Sequence, residues 1–344
     1  MRKNKDNYIS WDININDFPY DGVLSDKLKF FIRFGILAPS GHNSQPWYFV
    51  IEDNSIIICP DYNRALSKSD PERRQLLITI GCAISNILTA SNYFGLGSVV
   101  EYITTDSNIE GVKIKFDNKQ QMRVDASNLV EALSTRRTNR YKYVANQLPD
   151  TNFLNQWQNY HEDNTRMIFI NDYFQKNSIV DIIIESGVEA MDDVSFRQEL
   201  SHYIKSNWTK SKFGMPGFSL NIPAPASLVA SWMIRFFNMS KLNKKSDEKI
   251  LREHTPLFGI ICTKNDNQED WVNAGRLFCS FSNTAEEKKL AVAPFAAPIQ
   301  KAEYRGQIKK ILSFNYTPQI IFRFGYPSYI PGHTPRMLVE DLLK

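Results

Sequence analysis

The stretch DPERRQLLITIGCAISNILTASNYFG, from Asp70 to Gly95, constrains the fold of this chain more than any other. Asp70 stands as a helix N-cap and Pro71 at the first helical position. Leu76, Ile80, Ala83, Ile84, Ile87 and Ser91 then fall on one face. The spacing predicts a long helix with an apolar or small-residue stripe, ending at Gly95. A second helix of the same grammar is expected from Asp270 to Leu290, DWVNAGRLFCSFSNTAEEKKL. Gly81 in the first helix and Gly275 in the second are 194 positions apart, as are Leu96 and Leu290, which begin the segments that follow. An internal repeat accounts for these matches, and so does coincidence.

Strand signals surround both helices. PWYFVI and SIIIC, joined by the turn-prone EDN, read as a hairpin over residues 46 to 59, and SVVEYITT and GVKIKF read as further strands. RMIFIN, LFGIICT and QIIFRFGYP flank the second helix in the same way. A boundary is expected between residues 120 and 129, ahead of a helix containing NLVEALS, so that the halves run 1–125 and 126–344.

With 344 residues, 42% hydrophobic and 23% charged, the chain is long enough for one large core or two moderate ones. Its 41 basic and 37 acidic residues, a net charge of +4, carry no long single-sign block and give no nucleic-acid footprint. MRKNKDNYISWDININDF holds no apolar leader-like run, and PAPASLVASWMIRFFNMSKL from Pro223 is interrupted by Arg235. Cytoplasmic residence with neither a membrane nor a nucleic-acid partner is the expectation. Cys59, Cys82, Cys262 and Cys279 sit apart in apolar runs and read as buried reduced thiols. Neither they nor His42, His161, His202, His254 and His333 show metal-ligand spacing, and no metal is expected.

Four short segments carry the polar chemistry. In PSGHNSQPW, Pro39 is expected to end the preceding helix and Ser40 and Gly41 to form a tight turn, which His42, Asn43 and Gln45 crowd with donors and acceptors. The turn suits a planar ligand with polar edges, and equally a loop that satisfies its own backbone. STRRTNRYK places Arg136, Arg137 and Arg140 around Thr138, a forked donor array for phosphate or a solvated basic helix end. LAVAPFAAPIQ, with Pro294, Ala296 and Ala297, permits close backbone approach to a flat ligand or a tight core connection. Near the C-terminus Arg336 is isolated among neutral residues and, absent a partner, reads as a surface arginine.

Together these segments resemble the FMN-dependent nitroreductase family. APSGHNSQPW is similar to its APSxxNxQPW segment, RRTNR to its RRSxR segment, LAVAPFAA to its GLGSCPIGG loop, and TPRMLVEDLL to the basic residue before its final helix. Ordinary members are homodimers with the arginine segment ahead of the Asn-Gln-Pro segment, and each FMN takes one from either subunit. Here the arginines come about 90 residues after the turn. That order, with DPERRQLLITIG matching DPxxRxLLxxxG, resembles the Acg-type branch of single-chain dimer mimics.

The resemblance implies an α+β, nitroreductase-like fold of two pseudo-symmetric halves, each a central sheet flanked by helices. It implies one FMN per chain, with Arg136, Arg137, Thr138 and Arg140 at its phosphate and Arg336 as a further candidate. Ser40, His42, Asn43 and Gln45 would face the isoalloxazine or ribityl chain, and Pro294, Ala296 and Ala297 would approach the ring. The implied function is NAD(P)H-dependent reduction of a small acceptor by a monomer that acts as a fused pseudo-dimer, with further oligomers permitted. FMN sequestration without turnover is the alternative, and an anion-binding module without flavin a third. Two departures stand out: alanines 291, 296 and 297 replace the loop glycines, and the first half lacks an arginine segment, so a second site should be dead. Residues 195–245 form a Pro- and aromatic-rich excursion that reads either as a lid or as packing between the halves.

Overall fold

The computed structural model describes residues 6–106, 108–119, 127–162, 164–313 and 315–344. The expected boundary at 125/126 lies outside the described residues. In chain order the first part holds α1 (Leu24–Gly35), β1 (Trp47–Glu52), β2 (Ser55–Pro60), α2 (Arg74–Tyr93), β3 (Leu96–Thr105) and β4 (Asn108–Lys119). After α3 (Ser127–Thr135) and α4 (Thr151–Gln158) come β5 (His161–Glu162), β6 (Thr165–Ile170) and α5 (Tyr173–Asp192). The excursion contributes α6 (Val194–Tyr203), β7 (Ile204–Lys205), β8 (Met215–Pro216), α7 (Ala230–Phe236) and α8 (Ser240–Glu253). The chain closes with β9 (Leu257–Thr263), α9 (Gln268–Glu287), β10 (Ala291–Phe295), α10 (Ala297–Gln300), α11 (Ala302–Leu312), β11 (Thr317–Gly325) and α12 (Val339–Leu342).

Two antiparallel sheets result. One runs β1-β2-β4-β3 and the other β10-β11-β9-β6-β5, while β7 and β8 form a short parallel ribbon of their own. All seven residues of β9 are buried, since one face of its sheet packs on α9 and the other on α5 and α11. The outer face of β3 is open by contrast, and alternate residues such as Val99 and Ile103 are exposed.

Helices α2 and α9 cross at the centre of the largest apolar cluster, between the sheets. Every stripe residue named from the sequence, Leu76 through Ser91, is buried. At the crossing a Cβ on Gly81 would lie 2.0 Å from the Val272 carbonyl oxygen, and one on Gly275 would lie 1.9 Å from that of Ile78. Side chains would hold the helices apart there, and glycine removes them at a cost of about 0.5–1 kcal/mol each in helix propensity. Ile78 and Val272 are themselves 194 positions apart, so the contact is reciprocal under the same offset as the two glycines.

Helix α2 begins at Arg74 rather than at Asp70. Arg73 takes a left-handed backbone (φ 61°), which puts a turn before the helix. Asp70 still serves the helix start, because its two carboxylate oxygens accept from the Gln75 and Leu76 amides at 3.0 and 2.9 Å. Helix α1 ends at Gly35, four residues ahead of Pro39, and Leu37 and Ala38 continue it only as a turn. In α9 a capping box between Asn267 and Asp270 fixes the first turn. The C-terminal segment leaves the second sheet and returns to the first, where Leu343 bridges Phe49 and the Lys344 amide donates to the Phe49 carbonyl at 2.9 Å. Cys82, Cys262 and Cys279 are buried and Cys59 is only half-buried; all four are free thiols.

Candidate functional site

The Ser40–Gln45 turn lies between α1 and β1, and its shape comes from strained backbone. His42, Asn43 and Gln45 all have positive φ (49°, 55° and 52°), a left-handed region that costs non-glycine residues energy and persists only where the surroundings impose it. Gly41 is not among the left-handed residues. It is small because a Cβ there would lie 2.6 Å from the Gln75 side-chain oxygen and 2.8 Å from Leu66.

Tertiary hydrogen bonds impose the strain. Asn43 donates through Nδ2 to the carbonyls of Gly214 and Pro335, both at 2.9 Å, and its own carbonyl accepts from the Gly214 amide at 3.0 Å. Arg336 donates from Nη1 to Asn43 Oδ1 at 2.6 Å and from Nη2 to the carbonyls of Leu37 and Ala38 at 3.1 and 3.2 Å. Its guanidinium also lies 4.7 Å from the centre of the Trp11 ring. The reading of Arg336 as a surface arginine is therefore corrected: the residue is buried, because the C-terminal segment folds back beneath the turn. Gln45 is fully buried too, donating to the Lys212 carbonyl at 2.8 Å and accepting from the Met337 amide at 2.9 Å.

The RRTNR segment follows α3 and is pinned against β10, where Thr138 bridges Val292 and the Asn139 amide donates to the Val292 carbonyl at 3.1 Å. This pairing brings the arginines to the turn. Arg136 donates to the Leu37 carbonyl at 3.1 Å, Arg137 to the Thr135 and Pro331 carbonyls, and Arg140 to the Ser219 carbonyl at 3.4 Å. Together with Arg336 they surround a small cavity of about 40 Å³ that Ser40, Asn43 and Thr138 also line. Among the described residues none of the four guanidiniums forms an ion pair with a carboxylate, and their hydrogen bonds go to neutral oxygens. The Nε–H groups of Arg136 and Arg336 are buried without a partner. Burial pulls the Arg140 guanidinium down to about 10, opposed by Tyr143 and reinforced by Arg323. Burial and then Arg136 lower Arg336 well below its usual range.

Ser40, Thr138 and Arg140 also line a second cavity of about 450 Å³, which is within the size range of small-molecule and cofactor pockets. His42, Pro294, Ala296 and Ala297 lie on its wall. Of the twelve residues that the resemblance assigns to the cofactor, Gln45 alone lines neither cavity. The excursion supplies Phe196, Leu200, Met215 and Leu220 to the wall, and Glu199 ties it down across the chain. The Glu199 carboxylate accepts from the Lys68 and Ser69 amides at 2.8 and 2.9 Å and from the Ser69 hydroxyl at 2.6 Å. Beneath α6, burial lowers His42 to about 4, with Glu199 opposing and Arg140 adding, so the ring is neutral near pH 7; its Nδ1 is buried without a partner.

Sequence reasoning missed several wall residues. Arg74 is buried beside the cavity, paired with Asp266 at 2.6 Å, bonded to Gln319, and 4.5 Å from the centre of the Trp271 ring. Burial would raise Asp266, yet Arg74 and Trp271 hold it down to about 2. DPERRQLL contains Arg74, but helical spacing alone does not reveal its partner 192 residues away. No local signal marks Trp11, which stacks on His333 at 4.1 Å and donates to the Thr334 carbonyl at 2.8 Å. No group of three or more metal-ligating side chains occurs among the described residues. Helix α2 is long and apolar enough to cross a membrane by composition, but it is the buried core helix.

Two antiparallel sheets around a crossed helix pair, with the turn and the arginine loop meeting at one cavity, make this an α+β chain. The particular likeness in sequence is to the putative NAD(P)H nitroreductase acg of Mycobacterium tuberculosis, 32% identical over 79 residues. That match spans 23% of this chain and about a quarter (24%) of the relative's length. An uncharacterized protein of Mycobacterium tuberculosis is 20% identical over 335 residues, covering 92% of each chain. No family model matches. Similar solved structures include the FMN and NADPH-dependent nitroreductase NfnB from a Sphigopyxis strain, with a TM-score of 0.41 and 14% identity over 63% of this chain and 97% of that one. Another is an iodotyrosine deiodinase bound to FMN and 3-iodo-L-tyrosine, with a TM-score of 0.38 and 15% identity over 61% and 95%.

Proposed function

We propose that this chain binds one FMN between two fused halves and uses it as an NAD(P)H-dependent oxidoreductase acting on a small acceptor. The observation that carries the reading is the cluster of Arg136, Arg137, Arg140 and Arg336, which among the described residues forms no ion pair with a carboxylate and lines the small cavity that shares Pro39, Ser40, Thr138, Arg140 and Met215 with the 450 Å³ cavity. Cations held this way gain most from an anion with several acceptor oxygens, and two buried Nε–H groups remain unspent. The phosphate of FMN fits that demand. Arg136, Arg137, Arg140 and Thr138 would hold it, while Ser40, His42, Pro294, Ala296 and Ala297 would border the rest of the cofactor. Asn43 and Gln45 would act by holding the turn, since their side-chain amides are bonded to protein. Bound there, FMN would supply two-electron redox chemistry for hydride exchange with a nicotinamide donor.

Fusion is supported by the reciprocal 194-residue offset at the Gly81–Gly275 crossing and by the division of the site between residues 39–43 and 136–140. Halves at 1–125 and 126–344 are the proposed units, with 195–245 as a cover over the cavity. The Glu199 contacts to Lys68 and Ser69, which hold that cover down, favour a second reading in which FMN is sequestered with little turnover. Visible absorption after loading with FMN, followed by anaerobic addition of NADH or NADPH, separates the two. Rapid bleaching supports the reductase and a stable yellow protein supports sequestration; no FMN uptake overturns both.

A further inference from the structure

Between Leu200 and Ser246 the sequence contains seven lysines and arginines and not one Asp or Glu. The whole chain carries a net charge of +4, so the rest of the molecule is net negative and the excursion holds the entire positive excess. In the middle of this cationic segment lies an apolar surface. Leu228, Val229, Trp232, Phe236 and Phe237 are 64, 54, 55, 60 and 48% exposed. Three of them form one patch, with the Trp232 ring 5.7 Å from that of Phe236 and 5.4 Å from that of Phe237, and Leu228 and Val229 precede Trp232 by four and three residues. The opposite side of α7 is anchored, Ala230 being buried with Tyr203, Ile204 and Met215. The patch is therefore the outer face of a seated helix and not an unpacked core segment. Five large apolar side chains left in water within ten residues mark an interaction surface.

We propose that this face docks on an anionic lipid bilayer. The charge selects that occupant: a second copy would bring another cationic segment against the first, whereas anionic headgroups attract it. Trp232 and Phe236 with Arg235 5.8 Å from the Phe236 ring centre, followed in sequence by Lys244 and Lys245 on α8, is the composition of helices that lie in the headgroup plane. At seven residues α7 is far too short to span a bilayer, so the contact is peripheral. This goes beyond the expectation of no membrane partner, which rested on the absence of a spanning segment. The same excursion lends Leu200, Met215 and Leu220 to the cavity wall. Docking does not depend on whether FMN binds.

The test is co-sedimentation of the full chain with vesicles of phosphatidylcholine alone or mixed with phosphatidylglycerol, at low and high salt. The expected result is binding to the anionic vesicles, weakened by salt, and little to the neutral ones. Lys244→Gln and Lys245→Gln should each lower the partition coefficient about fivefold. The double variant Trp232→Ala, Phe236→Ser should lower it at least as far while keeping the wild-type circular dichroism and melting temperature. No binding to anionic vesicles at low salt overturns the proposal, as does equal binding by wild type and variants. So does a stable dimer in sedimentation velocity that the double variant splits, which would make the patch a self-association surface.

Discussion

Gly81 and Gly275 lie at the same crossing, each beneath the carbonyl of a residue on the other helix, and the two contacts are reciprocal under one 194-residue offset. The backbones of α2 and α9 touch there with nothing between them.

Replacing either glycine by alanine drives a methyl group into a backbone oxygen that cannot move without moving its helix. Gly81→Ala and Gly275→Ala are each expected to destabilise the chain by about 3 kcal/mol. Gly306, in α11 with nothing within 4 Å of its would-be Cβ, is the counterpart. Gly306→Ala is expected to stabilise by roughly 0.5–1 kcal/mol. Urea unfolding midpoints check all three, and a neutral Gly81→Ala would contradict the close crossing.

The arginine cluster makes a separable pair of predictions. Arg136→Gln and Arg140→Gln are each expected to weaken FMN binding by about 2 kcal/mol, roughly thirtyfold, as one charged donor to a buried phosphate is lost. Arg336→Gln should lower thermal stability as well, because its guanidinium ties Leu37, Ala38 and Asn43 together. Fluorescence titration with FMN reads the first effect and a melting curve the second. Unchanged affinity in Arg136→Gln and Arg140→Gln would refute the phosphate assignment.

Stoichiometry follows from the division of the site along the chain. The turn at 39–43 and the arginines at 136–140 meet once, so one FMN per chain is expected, with no need of a partner subunit. Native mass spectrometry of the loaded protein counts the flavin directly. Two flavins per chain, or loss of flavin whenever an oligomer dissociates, would contradict the fused arrangement.

Acid should destabilise the fold through two histidines. Burial lowers His42 to about 4, and burial with Arg137 lowers His333 to about 3, both below the usual 6.5. The unfolded chain therefore binds protons that the folded chain refuses. Stability is present in full above pH 6.5 and is lost as pH falls through the interval down to about 4 for His42 and about 3 for His333. The slope is on the order of 1 kcal/mol per pH unit for each ring. His42→Gln should flatten the profile of unfolding free energy between pH 6 and pH 4. An identical slope in the variant would show that His42 titrates normally.

The local pattern of the sequence sufficed for the elements. The 3.6-residue stripe through Leu76, Ile80 and Ile87 and the β-rich runs at 47–60 and 257–263 appear in the fold where the pattern puts them, because periodicity and side-chain shape act within a few residues. The motifs PSGHNSQPW and RRTNR likewise announced polar chemistry, and the 194-residue offset matched two helices of one grammar without showing that they pack on each other. Tertiary structure decided the rest. Whether Arg336 met water or Asn43 depended on a C-terminal segment folding back across the first sheet, and Gln45 was turned inward by Lys212 and Met337. The start of α2 moved to Arg74 because Arg73 adopted a left-handed backbone, and Arg74 found Asp266 across the molecule. Such outcomes are set by which oxygen or charge lies within about 3 Å of a donor. That proximity belongs to the folded chain, since residues hundreds of positions apart share no local pattern.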